Sequence, residues 1–282
     1  MRTFRYVVVD VFTDEPLTGN QLAVFTDARE LDGETMQALA REVKFSESTF
    51  VLPAESDGAH AKMRIFTPVS EIPFAGHPTL GTAFVLGLPM QSPEVRLETQ
   101  RGVVPVRLER DGGRVVFGRM EQPLPSVTAY EPADELLAAL GVERSELPVE
   151  LYDNGMRHVY VCLRSEDGVA SLRPDLERLE LPPDLAVNCF AGSGKAWKTR
   201  MFAPGAGVPE DPATGSAAGP LAFHLARHGL IAFGDEIEVT QGVEMLRPSK
   251  LFARADGTAE KLERVEVGGS AVIVARGEFR LP

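Results

Sequence analysis

The chain has 282 residues, 44% of them apolar, and a formal net charge of −12. No apolar run approaches the ~18 residues a membrane-spanning helix needs, and the acidic balance argues against nucleic acid or an anionic membrane surface as partner. Its two cysteines, Cys162 and Cys189, form neither a disulfide framework nor a CxxC metal pair, so a reducing cytoplasm is the expected compartment.

In chain order, Phe4–Phe12 and Leu22–Phe25 are predicted strands around a Pro-Leu-Thr-Gly-Asn turn. The N-terminal run is broken by Asp10 and followed by no small-residue cleavage site, so it reads as a strand rather than a signal peptide. Glu34–Phe45 reads as a helix with Met36, Leu39, Ala40 and Val43 on one face. Thr49–Leu52 and Met63–Phe66 are strands, and Val95–Thr99, Val103–Arg110 and Arg114–Phe117 form a meander. A Pro-rich stretch at Gln122–Ser126 follows. Beyond it the mixture recurs: helix Asp134–Leu140 closed by Gly141, strands near Val159–Leu163, Val187–Phe190 and Arg200–Phe202, and helix Ala217–His228 closed by Gly229.

One phrase occurs twice, EIPFAGHPTLGTAF at Glu71–Phe84 and EDPATGSAAGPLAF at Glu210–Phe223, with its Glu, Gly and Phe 139 residues apart. Arg64-Ile-Phe-Thr-Pro68 upstream matches Arg200-Met-Phe-Ala-Pro204, and Thr99-Gln-Arg-Gly-Val103 downstream matches Thr240-Gln-Gly-Val243. The period is too long for a solenoid. The expected fold is α+β, with two pseudo-symmetric lobes, each a curved sheet around one central helix. The expected lobes are 1–120, joined by a returning C-terminal strand at 272–282, and 121–271.

In each phrase Gly precedes a polar residue and a helical run. Pro78 suits a first helical turn, and Ser216 is read as an N-cap. A helix start exposes backbone N–H groups and the positive end of the dipole, which suits a carboxylate. Gly76 and Gly215 let a ligand approach closely. Either phrase alone reads more readily as an ordinary cap, but its duplication weakens that reading in favour of paired anion-binding helix starts. For a base, Glu47 in Ser46-Glu-Ser-Thr-Phe-Val51 stands between two hydroxyl residues at the entry to an apolar strand, where burial raises a carboxyl pKa. Asp211 is the second candidate, with turn stabilisation as its bland role.

Other signals are set aside. His224-Leu-Ala-Arg-His228 has metal-like spacing but lacks the Glu of a zinc helix. Cys189-Phe-Ala-Gly-Ser-Gly-Lys-Ala196 misses the first Gly and final Ser/Thr of a phosphate loop. No GxGxxG follows a strand and opens a helix, so no dinucleotide cofactor is expected. His60 and His158 have no partner identifiable at this level.

Asp10-Val-Phe-Thr with Gly19-Asn20-Gln21 and Ala23-Val24, Ser46-Glu-Ser-Thr49, Arg64-Ile-Phe-Thr-Pro68 with Glu71, Gly76-His-Pro-Thr79 and Glu210-Asp-Pro-Ala-Thr-Gly-Ser216 follow in an order that resembles the PhzF-like family of the phenazine biosynthesis type. The resemblance spans nearly the whole chain. It implies a diaminopimelate-epimerase-like fold with the active site between the lobes, no cofactor, no metal and a homodimer. It also implies isomerisation of a small carboxylate such as trans-2,3-dihydro-3-hydroxyanthranilate. In that reading Glu47 moves the proton, His77, Asp211 and Ser216 surround the substrate, Gly76 and Gly215 supply N–H donors and Asn20 lines the pocket. Related amino-acid epimerases use one thiol per lobe at these helix starts, and neither phrase contains Cys. Two alternatives stay open: an epimerase or racemase of another small acid, and a non-catalytic metabolite-binding protein.

Overall fold

The computed structural model describes residues 2–179 and 181–281. Met1 and Pro282, the outer bounds of the expected lobes, lie outside the described residues. The chain separates into two compact units. One runs through Glu121 and resumes at Gly268; the other spans Gln122–Val267.

The first unit opens with β1 (Arg2–Val11), which pairs antiparallel with β2 (Asn20–Phe25). Helix α1 (Gly33–Val43) leads to β3 (Glu47–Leu52), which lies parallel to β2. β4 (Ala61–Phe66) runs antiparallel to β3 and carries the short β5 (Glu71–Ile72) beside it. After helix α2 (Gly76–Met90), β6 (Glu94–Thr99) returns parallel to β4. The antiparallel β7 (Gly102–Asp111) and β8 (Arg114–Glu121) follow.

The second unit repeats this plan. β9 (Ser126–Ala129) and β10 (Glu150–Asp153) pair antiparallel, with α3 (Ala133–Leu140) between them in sequence. β11 (Arg157–Cys162) is antiparallel to β10. Helix α4 (Glu166–Ser171) leads to β12 (Leu185–Ser193), parallel to β11, and β13 (Ala196–Ala203) runs antiparallel to β12. β14 (Val208–Asp211) lies on β13, helix α5 (Gly215–Arg227) follows, and β15 (Glu236–Gln241) returns parallel to β13. β16 (Ser249–Gly257) is antiparallel to β15, and β17 (Leu262–Gly269) follows it. Finally β18 (Ala271–Leu281) pairs along β1, from Arg2 with Leu281 to Val11 with Ala271.

The burial of the helices follows from their composition. α1 is amphipathic and buries Met36, Leu39 and Ala40 against Phe25, Phe50 and Phe66. Its start is capped by Asp32, whose carboxylate accepts from the Thr35 N–H at 2.8 Å. Apart from His77 in α2 and His224 and Arg227 in α5, these two helices are apolar or small on all sides, the pattern of a helix buried nearly all round. Strands β1, β2, β3, β6, β7, β8 and β18 all touch α2.

Two expectations change in detail. α5 begins at Gly215 and ends at Arg227; Gly229 follows in the left-handed region, donating to the Ala226 carbonyl. α4, with Ser165 as its N-cap, has no counterpart among the expected elements: six residues are too short for a helical period to stand out.

Candidate active site

The doubled phrase has a structural half. Arg64 Nε and Nη2 donate to the two carboxylate oxygens of Glu71 at 2.8 and 2.7 Å, clamping β5 to β4. Arg200 does the same to Glu210, at 2.8 and 2.8 Å, clamping β14 to β13. Each guanidinium stands 5.1 Å from a ring centroid, Phe66 in one unit and Phe202 in the other. Two-pronged Arg–carboxylate pairs fix geometry as well as charge. Each phrase is thereby anchored just before its helix.

In the first unit the β1–β2 turn delivers Asn20. Gly19 has φ +68°, and a Cβ there would lie 2.5 Å from the Val11 carbonyl oxygen. The turn is tied back by the buried Asp10 carboxylate, which accepts from the Leu17 N–H at 2.7 Å. Asn20 Oδ1 accepts from Ser46 Oγ at 3.0 Å. Its Nδ2 is 3.2 Å from His77 Nδ1. With the Asn20 amide in this orientation its NH₂ donates to Nδ1, which leaves the ring proton on Nε2. That nitrogen lies 3.5 Å from Glu47 Oε2, at the outer edge of hydrogen-bond reach. Burial pushes the His77 pKa down to about 3, against a smaller opposite effect of the Gln21 backbone. The imidazole is therefore neutral at neutral pH. Asn20, Glu47, His77 and Gly76 are thus brought together around the start of α2. Thr49 Oγ1, two residues along β3, meets Thr82 Oγ1 of α2 at 2.9 Å and pins strand to helix.

In the second unit the corresponding start belongs to α5. Asp211 ends β14, and its Oδ2 accepts from Thr214 Oγ1 at 2.7 Å. Gln241 locks this turn, donating to the Asp211 carbonyl at 2.8 Å and to Thr214 Oγ1 at 2.9 Å. The N-cap is Thr214 and not Ser216, which corrects the sequence expectation. Ser216 lies inside the first turn, with Oγ 3.1 Å from His158 Nε2. The first three carbonyls of α5 each accept a side-chain donor: Gly215 from Gln122, Ser216 from Asn154 and Ala217 from Tyr160. Neither α2 nor α5 has a side-chain cap on its opening N–H groups. Such starts are suited to an anion.

The equivalence of the units is asymmetric where it matters. Ser48 pairs with Phe66, and Val187 with Phe202. Phe66 and Phe202 are the matched residues of the Arg-x-Phe motifs. One residue earlier, Glu47 therefore corresponds to Ala186, which is buried. Only one unit carries a carboxylate at this place.

Residues outside the expected set also enter. His158, Asn154 and Asn188 form the polar neighbourhood of Ser216. One signal existed: Asn154-Gly155 precedes β11 much as Gly19-Asn20 opens β2. Cys162 and Cys189 are buried free thiols, pushed up by burial to about 11 and about 12. Cys189–Ala196 is the β12–β13 hairpin.

At the other end of α5, Glu150 Oε2 lies 3.2 Å from His224 Nδ1 and 3.0 Å from His228 Nε2. Among the described residues these three could hold a metal ion. Arg227 Nη1 reaches the same oxygen at 3.1 Å, and Tyr152 OH donates to it at 2.9 Å. The fixed charge of Arg227 competes with any cation there. Burial opposes the charge of Glu150, but hydrogen bonds from His224, His228 and Tyr152 outweigh it and hold the carboxyl below its ordinary range. The cluster works as a clasp between α5 and β10.

The family model for phenazine biosynthesis-like proteins, PhzC-PhzF, matches residues 9–277. The chain belongs to this family. The trans-2,3-dihydro-3-hydroxyanthranilate isomerase of Pseudomonas aeruginosa is 54% identical to it over 277 residues, covering 98% of this chain and 99% of that protein. The crystal structure of a PhzF-family phenazine biosynthesis protein from Bacillus anthracis matches this PhzF-family chain with a TM-score of 0.84 at 27% identity, over 100% of both. A hydroxyproline epimerase from Agrobacterium vitis, at 14% identity, shares the fold with a TM-score of 0.65, over 98% of this chain and 92% of that one. The PhzF-family protein described here is an isomerase of a small acid, with the α+β architecture of the diaminopimelate epimerase type. No helix among its described residues is long and apolar enough to cross a membrane.

Proposed function

We propose that the protein isomerises trans-2,3-dihydro-3-hydroxyanthranilate, with Glu47 as the single base that removes a proton from one ring carbon and returns it to another. The C–H electron pair enters the conjugated π system of the ring, and a second ring carbon then takes the proton from the Glu47 carboxyl. The observation that carries this reading is the asymmetry of the scaffold: Glu47 stands on β3, and its register match is Ala186. The second unit therefore supplies no register-matched carboxylate to act as the partner of Glu47 in a two-base inversion. The raised thiol pKa values of Cys162 and Cys189 also disfavour two-thiol chemistry.

His77, kept neutral by burial, serves as the N–H donor beside Glu47 and steadies its carboxylate between the two proton transfers. Asn20 sets the tautomer. Asp211 binds the amino or hydroxyl donors of the substrate. The Ser216 hydroxyl binds the substrate carboxylate, and the uncapped N–H groups at Gly76 and at Gly215 are the donors for negative charge that develops on the substrate. The reaction needs no cofactor, and the working form is a cytoplasmic homodimer; sedimentation of the purified protein tests the dimer, and turnover after dialysis against a chelator tests the cofactor. The decisive experiment is turnover in D₂O followed by NMR. Glu47→Gln should slow both isomerisation and solvent deuterium incorporation by about 10³-fold. Inversion of a stereocentre without migration of a double bond would overturn the isomerase scheme in favour of epimerisation.

A further inference from the structure

The second unit buries an imidazole that the proposed scheme does not use. His158 is on β11 with 1% of its surface exposed. Its Nε2 lies 3.1 Å from Ser216 Oγ. Its Nδ1 faces Asn188 Nδ2 at 3.4 Å, and that amide nitrogen also reaches the Val159 carbonyl at 3.5 Å. Because an amide nitrogen donates, Nδ1 is the accepting nitrogen of the ring and Nε2 carries its proton. Burial agrees with a neutral ring, holding the His158 pKa down to about 3.

The consequence falls on Ser216. A serine hydroxyl has one proton and two lone pairs. If His158 Nε2–H fills a lone pair, the Ser216 proton is directed away from the ring and stays available to another acceptor. The Ser216 backbone is fixed as well, since its carbonyl accepts from Asn154 Nδ2 at 2.9 Å. We propose that His158 is a positioning residue for substrate binding: through its Nε2–H it holds the Ser216 hydroxyl as a hydrogen-bond donor to the substrate carboxylate. This rests on the assignment of Ser216 to substrate binding made above. His158 itself touches no reacting atom.

The role predicts a particular pattern. Ser216→Ala should raise KM for trans-2,3-dihydro-3-hydroxyanthranilate about 10-fold with kcat changed far less, as expected for one lost hydrogen bond to a charged group. His158→Leu should give a similar KM rise, because the hydroxyl then turns freely. The double variant should be no worse than either single one. His158→Gln, which keeps a side-chain N–H, should recover most of the loss. Independently of activity, ¹⁵N NMR of the wild-type protein should show a protonated Nε2 and a bare Nδ1 on His158 between pH 5 and 8.

The outcomes separate cleanly. A bare Nε2 overturns the inference, since the Ser216 proton would then be spent on the ring. So does a double variant whose KM rise is the product of the single ones, or a folded His158→Leu with wild-type KM. If Ser216→Ala leaves KM unchanged, the assignment of Ser216 to substrate binding fails and takes this inference with it.

Discussion

Glu47 Oε2 lies 3.5 Å from Nε2 of His77, an imidazole that burial keeps uncharged. The pairing sets a carboxylate beside a neutral donor rather than beside a cation. A cation would stabilise the carboxylate and weaken it as a base; a neutral N–H orients it at less cost in basicity. Glu47→Gln keeps the shape and removes the basicity. Its isomerisation rate in D₂O should fall by about 10³-fold, within the usual range for general acid–base catalysis, while its melting temperature stays near that of wild type. A rate within tenfold of wild type would remove Glu47 from the mechanism.

The two clamps should differ in their contribution to stability. Both Arg–Glu pairs are two-pronged, but the Arg200 side chain is 6% exposed and that of Arg64 27%. Arg200 also donates to the Leu172 carbonyl at 2.8 Å. Removing one member of a buried pair leaves the other charge uncompensated, at about 3–5 kcal/mol. Arg200→Met should therefore lower stability by about that amount in urea denaturation, and Arg64→Met by clearly less. Equal losses would show that the clamps depend on geometry and not on burial.

Much of this scaffold was legible in the sequence because the duplication repeats what the fold needs twice: the Arg of β4 and β13, the Glu of the phrase and the Gly that opens each central helix. Polar neighbours reached through the fold were less accessible. Ser216 and His158 are 58 residues apart, and the repeat weakens upstream of the Arg motifs, where Glu47 corresponds to Ala186 in the second unit. Ser216 reads as a cap because Ser is a preferred capping type, yet Thr is also a capping type and Thr214 stands two residues earlier. Thr214 then uses its hydroxyl on Asp211 instead of on the helix. Local chemistry suggested where polar groups gather; only the register of the strands showed which of them meet.

Acid should destabilise the protein earlier than carboxylate titration alone would. His77 and His158 titrate near 6.5 when unfolded and at about 3 when folded. The unfolded chain thus binds protons first, so stability falls as pH drops through 6.5 and the loss levels off below about 3. At pH 5 the cost is up to about 2 kcal/mol for each ring. Melting temperatures recorded from pH 8 to pH 4 should decline from near pH 6.5. His158→Gln should flatten part of that slope. An unchanged profile in this variant would mean that His158 binds its proton in the folded state.

Thiol reagents should leave the enzyme active. Cys189 has no exposed surface, Cys162 is 7% exposed, and burial raises both thiols well above neutral pH. Reactivity follows the thiolate, which is scarce in both. Iodoacetamide at pH 7.5 should modify neither cysteine before the protein unfolds, and turnover should persist. Rapid inactivation with stoichiometric labelling would revive a thiol mechanism.

The close fit of α5 gives the last prediction. Gly219 opens the second turn, close to Gln122 and Val265: a Cβ at position 219 would stand 2.3 Å from Gln122 Oε1 and 2.4 Å from Val265 Cγ1. Gln122 cannot give way without consequence, because its Nε2 donates to the Gly215 carbonyl at 2.8 Å. Ala ordinarily favours a helix over Gly by about 1 kcal/mol. Here the overpacking, at about 1–3 kcal/mol, should win. Gly219→Ala should melt lower than wild type and raise KM, since displacing Gln122 loosens the residue before Ser216. Gly219→Ala combined with Gln122→Ala should recover only part of the stability, because the 2.4 Å contact with Val265 Cγ1 remains, and should not recover KM, because the hydrogen bond to Gly215 stays lost. If the single variant is as stable as wild type, the contact is looser than its distances imply.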